Sequence, residues 1–215
     1  FKQKTAYEIR LSLVGSEMCI RDRMTGAIGA RAEWRHKFGL GSLAPVLSAE
    51  IAGDFVTAKE SGRRGPLAGL TVAWQKRFND VTRLTIAQAI SRRYAKVAVF
   101  DQEAHESSIA VDRDFGDLNR LTFSVHHREG DVVSYATPPR PDLVALASNR
   151  IAVDTFGRPM VAYSIDARTW SARAAFARAL DENSAIIAAY EWRQTERKPL
   201  RYANHLVSFA FVHQS

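Results

Sequence analysis

The sequence predicts an all-β fold, an antiparallel up-and-down meander, on three observations. Apolar and polar residues alternate with a period of two over segments of 9 to 15 residues, with no sustained 3.6-residue pattern. Short links carrying Asn, Asp and Gly alternate with longer polar links, as they do when consecutive hairpins share a short end and a long end. Uninterrupted apolar stretches such as Ala185 to Tyr190 reach only about six residues, far below the roughly 18 to 20 of a membrane-spanning helix.

Nine strands follow in order. In the first, near Gly26 to Phe38, Ile28, Ala30, Ala32, Trp34 and Phe38 oppose Arg31, Glu33, Arg35 and Lys37. Val46 to Phe55 sets Leu47, Ala49, Ile51 and Phe55 against Ser48, Glu50 and Asp54. Leu67 to Phe78 sets Ala68, Leu70, Val72, Trp74 and Phe78 against Thr71, Gln75 and Arg77. In Thr82 to Tyr94, Leu84, Ile86, Ile90 and Tyr94 oppose Arg83, Thr85, Ser91 and Arg93. In His105 to Phe115, Ile109, Val111 and Phe115 oppose Glu106, Ser108, Asp112 and Asp114, with Arg113 an exception on the apolar face. Asn119 to Arg128 sets Leu121, Phe123 and Val125 against Arg120, Thr122, Ser124, His126 and Arg128. Arg168 to Leu180 sets Trp170, Ala172, Ala174, Phe176 and Leu180 against Thr169, Ser171 and Arg173, with Arg178 a second exception. Ser184 to Glu196 sets Ile186, Ala188, Tyr190 and Trp192 against Glu191, Arg193 and Thr195, and His205 to Gln214 sets Val207, Phe209 and Phe211 against Ser208 and Gln214.

The short links are Asn79-Asp80-Val81, Gly116-Asp117-Leu118 and Asp181-Glu182-Asn183, and the long ones are Lys59 to Pro66, Ala95 to Ala104, Gly130 to about Tyr163, and Arg197 to Asn204. Gly39 to Ala44 stands where a short turn is due and is slightly long. Within the longest link, Leu143 to Ala147 is suited to a short helix.

A chain of 215 residues, 46% hydrophobic and 25% charged, is too apolar for a disordered tail, and its single Cys excludes a disulfide scaffold. The opening segment, residues 1–23, differs in texture from the rest. Its runs KTAYEI and LVGSEMCIRD resemble a sequencing adapter translated at the edge of a metagenomic contig, which implies a non-native artefact followed by one domain over 24–215. That segment holds five Lys/Arg and three acids, so the remainder carries 25 basic and 20 acidic residues, a net of +5 against +7 for the whole chain. Losing Cys19 leaves no thiolate ligand or thiol nucleophile.

Alternation alone does not say which face is inside, because a soluble barrel buries its apolar face and a membrane barrel turns it to lipid. Three features favour lipid outside. The polar face carries mid-strand charges of both signs: Arg31, Glu33, Arg35, Lys37, Glu50, Asp54, Arg77, Arg83, Arg93, Glu106, Asp112, Asp114, Arg120, Arg128, Arg173, Glu191 and Arg193. Apolar-face aromatics cluster toward strand ends, as Trp34 with Phe38, Trp74 with Phe78, and Tyr190 with Trp192, matching interfacial girdles. The hairpins also have one short and one long end. Together these features resemble the bacterial outer-membrane β-barrel proteins, over Gly26 to Ser215 as architecture and without the motif of a particular transporter or enzyme.

The resemblance implies an antiparallel up-and-down transmembrane β-barrel, porin-like, in the outer membrane of a Gram-negative bacterium. It would have periplasmic short turns, extracellular long loops, and a structural, surface-interaction or narrow-channel role. The implied partners are outer-membrane lipid, lipopolysaccharide and the barrel-assembly machinery. Trp34, Leu70, Trp74, Ile86, Ile109, Phe123, Trp170, Phe176, Ile186, Tyr190 and Phe209 would face lipid and the charged row would face the lumen. Counting back from a periplasmic C-terminus makes the first of nine strands run inward; an even strand number then implies a fragment of a barrel with ten or more strands. Arg113 and Arg178 are expected near an interface, since a lipid-facing Arg costs about 2 to 4 kcal/mol at the midplane. The chain departs from the pattern in not ending on an aromatic residue.

No catalytic residue, metal or cofactor is expected: no phosphate-cradling loop, zinc spacing or calcium loop is present. The most enzyme-like cluster is His126 and His127 with Ser124 and Asp131, yet residues i and i+2 on a strand are about 7 Å apart along the chain, too far for a nucleophile and its base. His205 and His213 fall near strand ends on the apolar face. The link from Thr137-Pro138-Pro139-Arg140-Pro141 to Arg158 is long enough for a plug, a surface ligand site or an inert loop. Arg63 with Arg64, and Arg197, Lys198 and Arg201, form basic clusters suited to lipopolysaccharide or to plain solvation. The pI of 9.8 does not imply nucleic-acid binding, since the charges spread along all strands. The alternative readings are a soluble lipocalin-like barrel for a small apolar ligand and an outer-membrane hydrolase.

Overall fold

The computed structural model describes residues 10–20, 23–58, 61–116, 118–136, 141–147, 151–155, 159–181 and 183–213. In chain order its elements are β1 (Arg10–Ile20), β2 (Arg23–Lys37), β3 (Val46–Ala58), β4 (Gly65–Arg77), β5 (Thr82–Arg93), β6 (Gln102–Phe115), β7 (Asn119–Ala136), α1 (Pro141–Leu146), β8 (Ile151–Thr155), β9 (Pro159–Ala179), β10 (Ser184–Arg197) and β11 (Leu200–His213). All strands belong to one antiparallel sheet ordered β1-β2-β3-β4-β5-β6-β7-β9-β10-β11, with the short β8 added on β9. The fold is thus all-β and up-and-down. Among the described residues the sheet is not closed, since β1 and β11 do not pair.

All nine expected strands are present, as β2 to β7 and β9 to β11. The segment set apart by its texture contributes a tenth long strand: β1 pairs along β2 from Ile20↔Arg23 to Arg10↔Glu33. The short turns sit where expected. Val81 N–H donates to Asn79 Oδ1 at 3.1 Å, and Asn183 N–H donates to Asp181 Oδ1 at 2.8 Å, side-chain-to-backbone bonds that close a turn without a ladder partner. The Asn183 bond holds the Asp181 carboxyl below the usual carboxylate range. Gly116 adopts φ +59, a left-handed conformation that favours glycine.

Two links differ from expectation. The span Arg197 to Asn204 is a two-residue turn at Lys198-Pro199, with rungs Arg197↔Leu200 and Glu196↔Arg201 already paired. The span Gly130 to Tyr163 is largely structured: β7 and β9 stay paired to Ala136↔Val161, and α1 and β8 lie between them. The run Thr137 to Arg140, the turn residues Asp117 and Glu182, and Gln214 with Ser215 lie outside the described residues.

The extension of β7 and β9 carries the buried core. Tyr163 and Ile165, on one face of β9, pack with Leu143 and Ala147 of the α1 segment, with Leu146, Val161 and Leu200 at the margin. Ala162, on the opposite face, packs with Val99 and Phe100 from the 3-10 turn Ala98–Phe100 in the β5–β6 link, and with Ala95 and Val133. This crown at the long-link end buries its apolar side chains as a water-soluble domain does. Among the described residues, no helix is long and apolar enough to cross a membrane.

Candidate functional site

Because neighbouring rungs bring residues of one face opposite each other, the register decides what shares a surface. Glu33↔Glu50 and Glu50↔Thr71 continue one polar row across β2, β3 and β4. Arg83↔Asp112 and Asp112↔Thr122 continue it across β5, β6 and β7, and Ser124↔Arg173 and Arg173↔Glu191 across β7, β9 and β10. By this alternation Arg31, Glu33, Arg35, Glu50, Asp54, Arg77, Arg83, Arg93, Glu106, Asp112, Arg120, Arg128, Arg173, Glu191 and Arg193 share one face of the sheet. Trp34, Leu70, Trp74, Ile86, Ile109, Phe123, Trp170, Phe176, Ile186, Tyr190 and Phe209 share the other.

Exposure follows the faces in the reverse of the soluble order. Phe123 is 55% exposed and Phe209 78%, and Ile28, Ile51, Ile86, Ile109, Trp170, Phe176 and Ile186 are all exposed; Trp34 and Trp74 are half-buried. On the polar face Arg31, Glu33, Glu50, Asp54, Arg83, Asp112, Arg128 and Glu191 are half-buried, while Arg35, Arg77, Glu106, Arg120, Arg173 and Arg193 are exposed. A sheet curved toward its polar face accounts for the open apolar row, because a convex face fans its side chains apart and a concave face crowds them, and it fits the cleft that polar-face residues line. Residues of β6, β7, β9, β10 and β11 enclose a cleft of about 840 Å³, including Glu106, His126, Arg128, Ser171, Arg173, Glu191, Arg193 and Ser208.

Opposite charges pair on the concave face, either directly across a rung or two residues apart along one strand. Arg83 donates from Nε and Nη2 to Asp112 Oδ2 at 2.9 and 2.6 Å, while Thr122 Oγ1 donates to Asp112 Oδ1 at 2.7 Å. Arg120 pairs with Asp114 at 2.6 Å, Arg128 with Glu106 at 3.2 Å, Arg193 with Glu191 at 2.7 Å and Arg35 with Glu33 at 2.6 Å. Thr169 and Thr195 hydroxyls meet at 2.9 Å. Of these pairs Arg83–Asp112 is the most sheltered, and in each of the others one partner is about half exposed.

The convex face changes character along the strands. Toward the long-link end its apolar band gives way to a charged belt, with Arg168–Glu129 at 2.9 Å and Arg92–Glu103 at 3.8 Å, and Arg197 at the end of β10 reaches Asp166 at 3.3 Å. At the boundary the His127 ring lies 4.3 Å from that of Trp170, and Tyr190 Oη and His205 Nδ1 are 2.6 Å apart. At the short-turn end Arg113 and Arg178 lie within two residues of their strand ends, Arg113 with its guanidinium 5.4 Å from the Phe115 ring centre. The side chain of His213 lies outside the described residues.

The structure corrects the separation of Ser124 and His126. Their side chains lean together, Oγ to Nε2 at 3.1 Å, although the backbone rise sets their Cα atoms apart. Among the described residues no carboxylate contacts His126, so the imidazole lacks the orienting acid of a nucleophilic triad. No group of three or more metal-ligating side chains occurs among the described residues. Of the basic clusters, Arg64 Nε donates to Ala58 O at 2.8 Å, tying its link to β3, and Arg63 lies 4.8 Å over the Phe100 ring, against the β5–β6 link. Arg201 Nη2 donates to Gln194 Oε1. Ser171, opposite His126, and the core residues Val99, Phe100 and Tyr163 were not legible as a site or core; the only signal was an apolar pair within a polar link and a weak alternation before Arg168. No protein-family model, curated protein or solved structure matches the chain.

Proposed function

We propose that the chain is an integral outer-membrane β-barrel protein of a Gram-negative bacterium, with a structural, surface-interaction or narrow-channel role. The observation that carries this reading is the exposure of the apolar row: across nine strands it stands largely open on one face of the sheet, while the opposite face carries the charged row, much of it in ion pairs. In water, exposing Phe123, Phe176, Ile186 and Phe209 on one contiguous face is unfavourable at roughly 25 cal/mol per Å²; in hydrocarbon that cost disappears. Strands β2 to β6 run 12 to 15 residues, longer than the roughly 9 to 11 that a tilted strand needs to cross. Lipid also requires that strand edges be paired, so the reading includes a closed barrel of ten or more strands. The short turns are then periplasmic and the crown extracellular, where the charged belt meets lipopolysaccharide.

A soluble barrel for an apolar ligand would need its apolar residues on the concave face, which here carries Arg83, Asp112, Arg128 and Glu191. The test is recovery of the full chain from membranes. Extraction only with detergent, with gel mobility that shifts on heating, is the expected result; recovery in buffer alone would overturn the reading. Within it, seventeen charged side chains on the concave face favour a filled interior over a wide pore, and planar-bilayer conductance distinguishes a narrow channel from a closed structural barrel.

A further inference from the structure

The cleft holds one grouping that the ion-pair ladder leaves unused. On two rungs of β7 and β9 that flank Val125↔Ala172 and share the polar face, His126 stands opposite Ser171 and Ser124 opposite Arg173. Directly opposed Cβ atoms lie about 4.5 to 5.5 Å apart, and Ser124 Oγ already meets His126 Nε2 at 3.1 Å. The result is a compact quartet of two hydroxyls, an imidazole and a guanidinium, all able to donate hydrogen bonds. Arg173 makes no ion pair among the described residues. Its neighbour on β10, Glu191, is engaged by Arg193, whose Nε and Nη2 both donate to Glu191 Oε1 at 3.0 and 2.7 Å. Glu106, the acid nearest His126 on the other side, pairs with Arg128 at 3.2 Å. The acids flanking the quartet are thus neutralised and its cation is not, in a cleft with room for a small solute.

We propose that this quartet binds a small soluble oxyanion, the guanidinium of Arg173 supplying charge and Ser171, Ser124 and His126 supplying further donors. A tetrahedral or planar oxyanion suits such a set because its several oxygens accept at once and a guanidinium can engage two of them. The proposal deepens the reading of the concave face as an enclosed one.

Inorganic phosphate is the probe, titrated at low ionic strength into the full chain folded in detergent and followed by calorimetry and ³¹P line width. Saturable binding at one site is expected. Arg173→Gln should weaken it by about tenfold or more, the scale of losing a charge-assisted hydrogen bond. Glu191→Gln, nearly isosteric and so least disturbing to folding, should tighten it severalfold. Arg77→Gln, a cation of the same face on β4, should change it by less than about twofold, because its distance leaves only screened attraction. Absence of saturable binding, equal loss from Arg173→Gln and Arg77→Gln, or no tightening in Glu191→Gln would each overturn the proposal. If the chain is recovered in buffer alone, the membrane reading fails, yet the same titrations run in buffer still decide the quartet.

Discussion

Along β7, Phe123 and Val125 stand in the open, whereas in the crown, across the extension of the same strand pair, Tyr163 and Ala162 are wholly enclosed. In the band, the sheet turns apolar side chains outward and pairs Arg with Asp or Glu inside. In the crown, α1 and the turn at Val99-Phe100 cover both faces of the β7–β9 ribbon, and charges move to the surface as Arg168–Glu129 and Arg197–Asp166. The difference teaches that one antiparallel ribbon carries two arrangements of its apolar side chains, and that covering elements, not the strand sequence alone, decide which face is hidden.

The sharpest way to break that comparison is inside the crown. Tyr163→Ala removes a fully buried aromatic, and a local loss of about 3 to 5 kcal/mol is expected. Hydrogen exchange of the β9 amides near Tyr163 should accelerate while those near Phe176 hold; equal acceleration along β9 would merge the two regions into one cooperative unit. Next comes the band, where Val125→Arg should cost about 2 to 4 kcal/mol in urea titrations of folding into liposomes, if Val125 faces hydrocarbon. Ser107→Arg, toward the belt on β6, should cost about 0 to 1 kcal/mol. A cost for Val125→Arg within about 0.5 kcal/mol would mean that water covers the band.

Smaller effects sharpen the picture. Arg83→Met leaves Asp112 held by Thr122, for an expected loss of about 1 kcal/mol that shrinks as salt is added, since Arg83 is itself 35% exposed. Ser164 is buried in the crown with an Oγ that has no partner among the described residues. Ser164→Ala should therefore be neutral or stabilise by up to about 1 kcal/mol in thermal unfolding; a clear loss would reveal a bond to that hydroxyl.

The band was readable because pleating forces a period of two wherever the faces meet unlike surroundings, as in Leu121, Phe123 and Val125 against Thr122, Ser124 and His126. Beyond the band the two faces no longer meet unlike surroundings, since α1 and the Val99-Phe100 turn cover both sides of the β7–β9 extension, and alternation fades while backbone pairing continues. That is why Arg197 to Asn204 reads as a loop although Gln194↔Ala203 and Glu196↔Arg201 are rungs. It is also why Asp131 to Ala136 reads as link and folds as strand. The Ser124–His126 contact was hidden for another reason: backbone rise fixes the separation of Cα atoms, not the lean of side chains. Arg173 was legible as a polar-face cation, but its lack of an acidic partner depends on Arg193 reaching back along its own strand to Glu191.

The lengths of adjacent hairpins carry a last consequence. β9 continues from Ala167 back to Pro159 past its final rung with β10, a rise of roughly 30 Å at about 3.3 Å per residue. β10, by contrast, folds over at once through Lys198-Pro199 into β11. The rim is therefore a palisade on one side and a low sill on the other. The cleft lies between these unequal edges, with Leu206 and Ser208 lining it from β11, beyond the lower one.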